Sequence, residues 1–570
     1  NVSVDGGTIK LDGNYPTGSN NVALGDTALD DGSLSGGNNV AIGNAALTAN
    51  TSGSEGTAVG QGALSANTTG TQNTAVGRKA LEVNSTGAGN TAVGQRALDA
   101  NTTANYNTAV GQAALGTNTT GALNTAIGQN AMTANSTGQE NVAVGRAALQ
   151  NNTTANANTA VGYAAMDANT TGTNNVAVGY AAADAQTTAS NTTAIGYQAL
   201  SANTGDNNTA VGKDALLSHT SGAYNVAVGS QALDANTTAS NNTAVGYAAL
   251  GANTTGTYNV AVGRSALAAN TTASGNNALG GNALLNTTTG TSNNAIGYAA
   301  LQANTTGQYN NAMGYNALIN NTTADYNSAF GQQALESNTT GNPNTAIGAL
   351  AFRYLTTGTD STAVGVEAGT AVTTGSNNAF VGRSSAPSVT TGSQNSALGR
   401  LAGATTTTGN NNTSVGYYCR PNASGDSNCV VVGSNGMIGK GSQTAFISGG
   451  NGPTYSGNNS ANFATTSDRR IKKNIEDNNT GLDAINQVRV RNFEYRTADE
   501  IDELPVSAAI DKQGVQLGVI AQEIQEILPD VVREETTGCL SVDPENMTWY
   551  LVNAVKELSA KVAELESKGD

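Results

Sequence analysis

The chain has 570 residues, of which 11% are charged and 4% aromatic, with 70 glycines and a formal net charge of −16. That charge excludes a general affinity for nucleic acid, which needs clustered cations. No run of about 18 apolar residues occurs, which excludes a membrane-spanning helix. Glycine-rich, aromatic-poor composition points to many tight turns around a thin aliphatic core.

Residues 1–20 read as an N-terminal cap or attachment segment, with no charged-then-apolar leader of a signal peptide. From residue 21 to 433 a unit of seventeen residues recurs. One copy runs from Thr243 through Gly246, Tyr247, Leu250, Asn253 and Gly256 to Asn259. The glycine closing its Ala-Val-Gly core recurs from Gly25 to Gly433, with one step of eighteen (25 to 43) and one of sixteen (196 to 212). Such a period defines a repeat architecture in which each unit packs on its neighbours. Thr-Ala-Val reads as a short strand ended by a glycine turn. Val245 is expected to face inward and Ala244 the opposite way, since side chains alternate along a strand. Leu250, four residues after the glycine, provides a second apolar anchor, and Asn-Thr-Thr-Gly supplies turn chemistry.

The expected fold is therefore mainly β: a long β-solenoid or β-roll of about 25 coils, each with two short strands and two turns. Stacking at about 4.8 Å per coil gives a length of roughly 120 Å. Thr and Asn in register are expected to form hydrogen-bonded ladders. Trimerisation that buries the alanine-rich face would supply the apolar burial a thin coil lacks. The Asn-Thr-Thr triplets match the N-glycosylation pattern, but their coil period favours a ladder role. Thr rows that bind ice would need a flat exposed face. Tyr163, Tyr180, Tyr197, Tyr247 and Tyr298 fit packing on strand surfaces, with sugar contact as the alternative. Cys419, Cys429 and Cys539 do not make a disulfide framework, and the first two read as reduced and packed.

The coils resemble the head repeats of trimeric bacterial adhesins, where shorter Asn-Ser-Val-Ala-Ile-Gly units build a trimeric β-roll. Longer units of this kind are similar to those in tail fibres of marine phages. The first resemblance implies a surface adhesin as one reading, although that would call for a leader and an outer-membrane anchor.

After Gly433 the period fades, and residues 434–466 read as a tip or linker. Charge density then changes. Residues 1–466 hold 31 charged side chains, and residues 467–570 hold 33. This second segment opens with Ser467-Asp468-Arg469-Arg470-Ile471-Lys472. It continues through Gly518-Val-Ile-Ala-Gln-Glu523 and a final helix expected over 549–566. Leu551, Leu558 and Leu565 repeat every seven residues there, with Val555 and Val562 between them, a short coiled-coil signal.

In that order, these motifs resemble the intramolecular chaperone, auto-processing domain of phage tail spikes and fibres. The resemblance implies a small α+β domain at 467–570 and a cut between Thr466 and Ser467, with Asp468 and Arg470 as motif residues. A serine needs a base to become a nucleophile, and a lysine with lowered pKa can serve. Lys472, crowded by Arg469, Arg470 and Lys473, is the candidate base for Ser467. The lone histidine, His219, lies in the repeat, so a Ser-His-Asp arrangement within this domain is excluded. The alternative for Ser467 and Asp468 is a helix N-terminus, with capping and a favourable dipole.

Taken together, these features imply a homotrimeric phage tail fibre that mediates host attachment. Its C-terminal domain would drive folding and then cut itself off once, as a Ser-Lys serine peptidase. The implied partners are a host cell-surface receptor, with a glycan among the candidates, and phage tail or baseplate proteins. The tip at 434–466 is the expected receptor contact. The place is the virion, after folding in the host cytoplasm. No cofactor and no metal are expected.

Overall fold

The computed structural model describes residues 18–448, the backbone of 454–456, and residues 469–569 except 498–499, 502–509, 511 and 535–537. The chain forms two compact units, Asn1–Thr465 and Thr466–Asp570.

The first unit is a parallel β-solenoid. Strands β1 (Val22–Leu24) to β25 (Val430–Gly433) come one per coil, and each pairs in parallel with its neighbours. Register is strict: Thr74, Ala75 and Val76 pair with Thr91, Ala92 and Val93. Strand β26 (Ala445–Ser448) continues the stack, and β27 (Thr454–Ser456) turns back antiparallel against it.

The coil at residues 91–107 shows why the sequence folds this way, and it corrects two expectations. Its single strand is Thr91–Val93, and the central Ala92 is fully buried while Val93 faces outward. Alanine, not valine, faces inward because the interior of a seventeen-residue coil is narrow. The second expected strand is absent. Arg96 and Leu98 have φ of 59° and 53°, which bends the chain where a strand would need extended backbone. Such positions cost of order 1 kcal/mol each. At Leu98 this is offset by complete burial of the side chain and by a hydrogen bond from its N–H to the Ala114 carbonyl (3.0 Å). Gly94 is obligatory: its φ is 135°, and a Cβ there would lie 2.5 Å from the Gly111 carbonyl oxygen.

The expected ladders are present. Asn101 donates its amide to Asn84 Oδ1 (2.8 Å) and the Ala104 carbonyl (3.2 Å). Asn107 receives no solvent either; its backbone N–H donates to Asn90 Oδ1 (2.9 Å) and its Nδ2 to the Gly121 carbonyl (2.9 Å). Buried amides are tolerated because they are bonded. The sequon asparagine Asn101 is thus sealed inside the coil, unavailable to a glycan in the folded state. Thr102 spends its hydroxyl on the Thr119 carbonyl (3.1 Å), and only the next threonine, Thr103, is exposed. One exposed column is narrower than the flat face that ice binding needs.

Cys419 and Cys429 are buried thiols, directed at the carbonyls of Gly433 and Gly441. Burial pushes both thiols up from their ordinary value. Phe446 replaces the inward alanine in the last parallel strand and packs with Cys419 and Val431.

In the second unit, α1 (Leu482–Ile485) is followed by β28 (Arg491–Phe493), paired antiparallel with β29 (Gln516–Gly518). Next come α2 (Ala521–Ile527) and the antiparallel pair β30 (Val532–Glu534) and β31 (Leu540–Val542). The last helix, α3 (Pro544–Lys568), starts five residues earlier than expected. Asp543 caps it through the backbone N–H groups of Glu545 and Asn546, with Pro544 in its first turn. Ile524, Leu528, Val531 and Tyr550 form the core. No helix among the described residues is long and apolar enough to cross a membrane.

Candidate functional site at the start of the second unit

Thr466, Ser467 and Asp468 lie outside the described residues. Immediately after them, Arg469–Ile471 form a single 3-10 turn, closed by the Lys472 N–H on the Arg469 carbonyl (3.2 Å). Arg470 and Lys472 are exposed. The turn places Lys472 one turn after Arg469.

The segment that follows is fastened to α3. Asn553 donates its amide to the carbonyls of Asn478 (2.7 Å) and Thr480 (3.2 Å). Glu557 accepts from the Leu482 N–H (3.0 Å), beside the start of α1. Asn478 donates to the Tyr550 hydroxyl (3.3 Å), which itself donates to Asp530 (2.5 Å). That carboxylate, together with burial, raises the Tyr550 pKa above its ordinary value. Gly481 is required here for space: a Cβ would lie 2.4 Å from Glu557 and 2.9 Å from the Ala554 nitrogen of α3. A groove of about 690 Å³ runs alongside, lined by Glu476, Asp477, Trp549 and Lys556 among others.

A second link joins the motif Gly518–Glu523 to the sheet. Arg491 in β28 grips Glu523 with two bonds, 2.7 and 3.2 Å, and this holds the carboxyl below its ordinary pKa. Sequence reasoning did not single out Tyr550, Asn553, Glu557, Asp530 or Arg491. Asn553 and Glu557 lie four apart on the helix, on a face different from the leucine row, which was the available signal.

The heptad row on α3 is largely uncovered among the described residues. Leu551, Val555, Leu558, Val562 and Leu565 are 45–70% exposed.

The chain thus joins a long β-solenoid to a small α+β unit whose first residues carry a Ser-Asp-x-Arg-x-Lys pattern. Residues 467–533 match the family described as chaperone of endosialidase (Peptidase_S74), an autoproteolytic, peptidase-related family. The chain carries this domain at its C-terminal end. It is 34% identical over 119 residues to the long tail fiber protein Gp37 of Enterobacteria phage K3, covering 20% of this chain and 9% of that protein. The Gp37 protein of Enterobacteria phage T2 gives 34% over 119 residues, with 20% and 8% covered. Myelin regulatory factor homolog 1 of Caenorhabditis elegans gives 30% over 111 residues, with 20% and 12% covered. The chain therefore spans about a tenth of the length of these curated relatives. No solved structure matches it. A β-solenoid ahead of this domain, with long tail fibre relatives, fits a phage tail fibre with a C-terminal chaperone domain.

Proposed function

We propose that this protein is a homotrimeric tail fibre that mediates host attachment and is assembled by its own C-terminal domain. The domain trimerises, sets three solenoids in register, and then severs the bond between Thr466 and Ser467. Ser467 attacks the Thr466 carbonyl carbon as its hydroxyl proton passes to Lys472. An ester forms between the Thr466 carbonyl and Ser467 Oγ as the peptide C–N bond breaks and the freed amine takes the proton from Lys472. Water then hydrolyses the ester, leaving the Thr466 carboxylate and restoring the Ser467 hydroxyl. Asp468 and Arg470 belong to the motif. The product is a virion component, folded in the host cytoplasm, that docks on phage tail or baseplate proteins and meets a host surface receptor. Separation of folding aid from product leaves the shaft held by its unfolding barrier.

The observation that carries this reading is the order of parts: a solenoid followed by a chaperone-of-endosialidase domain at 467–533. Two bare apolar rows support trimerisation. One is the heptad row on α3. The other is the outer residue of each strand, which forms a ridge through Val76 (37% exposed), Ile127 (40%), Leu279 (51%) and Leu398 (53%). About 25 such residues at roughly 50 Å² each exceed the 300–600 Å² of the largest patch on a typical monomer. The alanine face first expected to be the seam is the interior of each coil, so the seam moves to this ridge.

Expression of wild type, Ser467→Ala and Lys472→Ala side by side tests the chemistry. A fragment beginning at Ser467 should appear with wild type alone. Its equal appearance in all three would remove the Ser-Lys mechanism.

A further inference from the structure

The 25 coils are an internal comparison. The turn glycine, which every coil needs, is fixed from Gly25 to Gly433. The residue directly after that glycine varies, and it varies in a biased way. Residues 1–466 contain twelve Lys and Arg, and six of them occupy this one column: Arg78, Arg146, Lys213, Arg264, Arg383 and Arg400. An even spread over seventeen columns would place about one there. Beyond Asp26 the column holds no carboxylate, although the chain as a whole is acidic. Lys213 pairs with Asp214 (3.4 Å), while no ion pair engages the five arginines among the described residues.

Tyrosines fill the same column between the cations. Tyr163, Tyr180 and Tyr197 stack in consecutive coils at 5.1 and 5.4 Å, with planes 14° and 10° apart. Arg146 caps one end of the stack at 5.5 Å, and Lys213 caps the other at 6.0 Å. The rings are 44–51% exposed, so they are not packed on the strand surface as first expected. Their faces are taken by one another and by the caps. What remains outward is ring edges, which carry positive partial charge, and three hydroxyls without a protein partner among the described residues.

We propose that this column is a lateral binding site for a linear, carboxylate-bearing polysaccharide lying along the solenoid. The cations meet its carboxylates, and the tyrosine hydroxyls bond its hydroxyl groups. Tyrosine suits this use because a stacked ring loses little freedom on binding. Arg146 and Lys213 are four rungs apart, roughly 20 Å at about 4.8 Å per rung, so they anchor such a chain at intervals of several sugars, with the tyrosine hydroxyls bonding the sugars between. Covered ring faces leave no platform for nucleic-acid bases to stack on. A seam between copies is disfavoured, since like charges in register would repel. This moves the receptor contact from the 434–466 tip to the flank. It rests on the fibre reading for its biological setting. Binding by purified protein is measured whether or not the chain cuts itself, so the two can fail separately.

The test is titration of the full chain with alginate and polygalacturonate oligomers, with dextran oligomers and oligo-dT as comparators. Glutamine stands natively in this column at Gln95, Gln112 and Gln129, so Arg146→Gln/Lys213→Gln keeps the coil. Wild type should bind the polyuronates, more weakly as salt rises. The double variant should lose about tenfold or more in affinity, as expected for charged hydrogen bonds. Tyr180→Gln should weaken binding with an unchanged salt dependence. Failure of wild type to bind either polyuronate, equal binding of dextran or oligo-dT, or unchanged affinity in the double variant would each overturn the proposal. So would a fall in trimer stability in place of a fall in affinity.

Discussion

Substitution Gly94→Ala should split the solenoid locally. At φ 135° an alanine is strained by about 1–3 kcal/mol. Its Cβ would sit 2.5 Å from the Gly111 oxygen, so the next coil must retreat by about 0.9 Å to reach the 3.4 Å of ordinary contact. That movement acts on the bonds Gly111 N–H to Val93 O (2.7 Å) and Ala113 N–H to Gln95 O (3.0 Å). Losing both adds about 2 kcal/mol, for a total of about 3–5 kcal/mol. Because a repeat array couples only neighbours, the damage should stay within a few coils. Hydrogen exchange read by mass spectrometry should show faster exchange between about residues 74 and 128, with distant coils unchanged. The control is Gly87→Ala. A Cβ there also faces a carbonyl, at 2.4 Å, but no positive φ is required, and Ala104 fills the same place one coil later. It keeps the crowding without the left-handed backbone strain, and so should cost less than Gly94→Ala by about 1–3 kcal/mol. Equal exchange in the two variants would refute the claim that the turn glycine is set by backbone conformation.

His219 stands in the asparagine ladder, with Nδ1 accepting from Asn236 (2.8 Å) and Nε2 donating to the Gly222 carbonyl (2.7 Å), and burial lowers its pKa. Its contribution is therefore fully present above about pH 6.5 and is lost as pH falls from there towards the depressed folded value, at about 1.4 kcal/mol per unit. Melting should show an acid sensitivity that His219→Asn removes. Gly369→Leu restores the repeat's usual residue and should nonetheless destabilise by about 3 kcal/mol or more, since its Cβ would meet Phe352 at 2.5 Å and Phe380 at 2.8 Å. Adding Phe352→Leu and Phe380→Ala should recover the loss in denaturant titration. Leu558→Asp, on the bare row of α3, should prevent trimer formation in analytical ultracentrifugation while leaving the Ile524–Tyr550 core folded by circular dichroism.

Much of the fold was legible, and the failures have physical causes. The glycine period gave the coil length, and the leucine four residues after most of these glycines is buried as expected. The inward face was misread because valine is the better strand residue and alanine the weaker apolar one. Interior volume, which the sequence does not state, decides in favour of alanine. The second strand was misread because leucine rarely adopts a positive φ, and here inter-coil bonding holds Leu98 there. In the second unit, the motif and the heptad row were visible from spacing. The fastening of residues 478–482 to Asn553 and Glu557 was not, because it joins positions more than seventy residues apart. Asp543 and Pro544 were readable as a helix start, but attention to the leucine period placed the helix too late.

Native mass spectrometry of the expressed protein tests the central claim most directly. Wild type should give three copies of a chain ending at Thr466, and Ser467→Ala should give three copies of the intact 570-residue chain. A wild-type monomer, or a wild-type assembly that retains residues 467–570, would contradict the account.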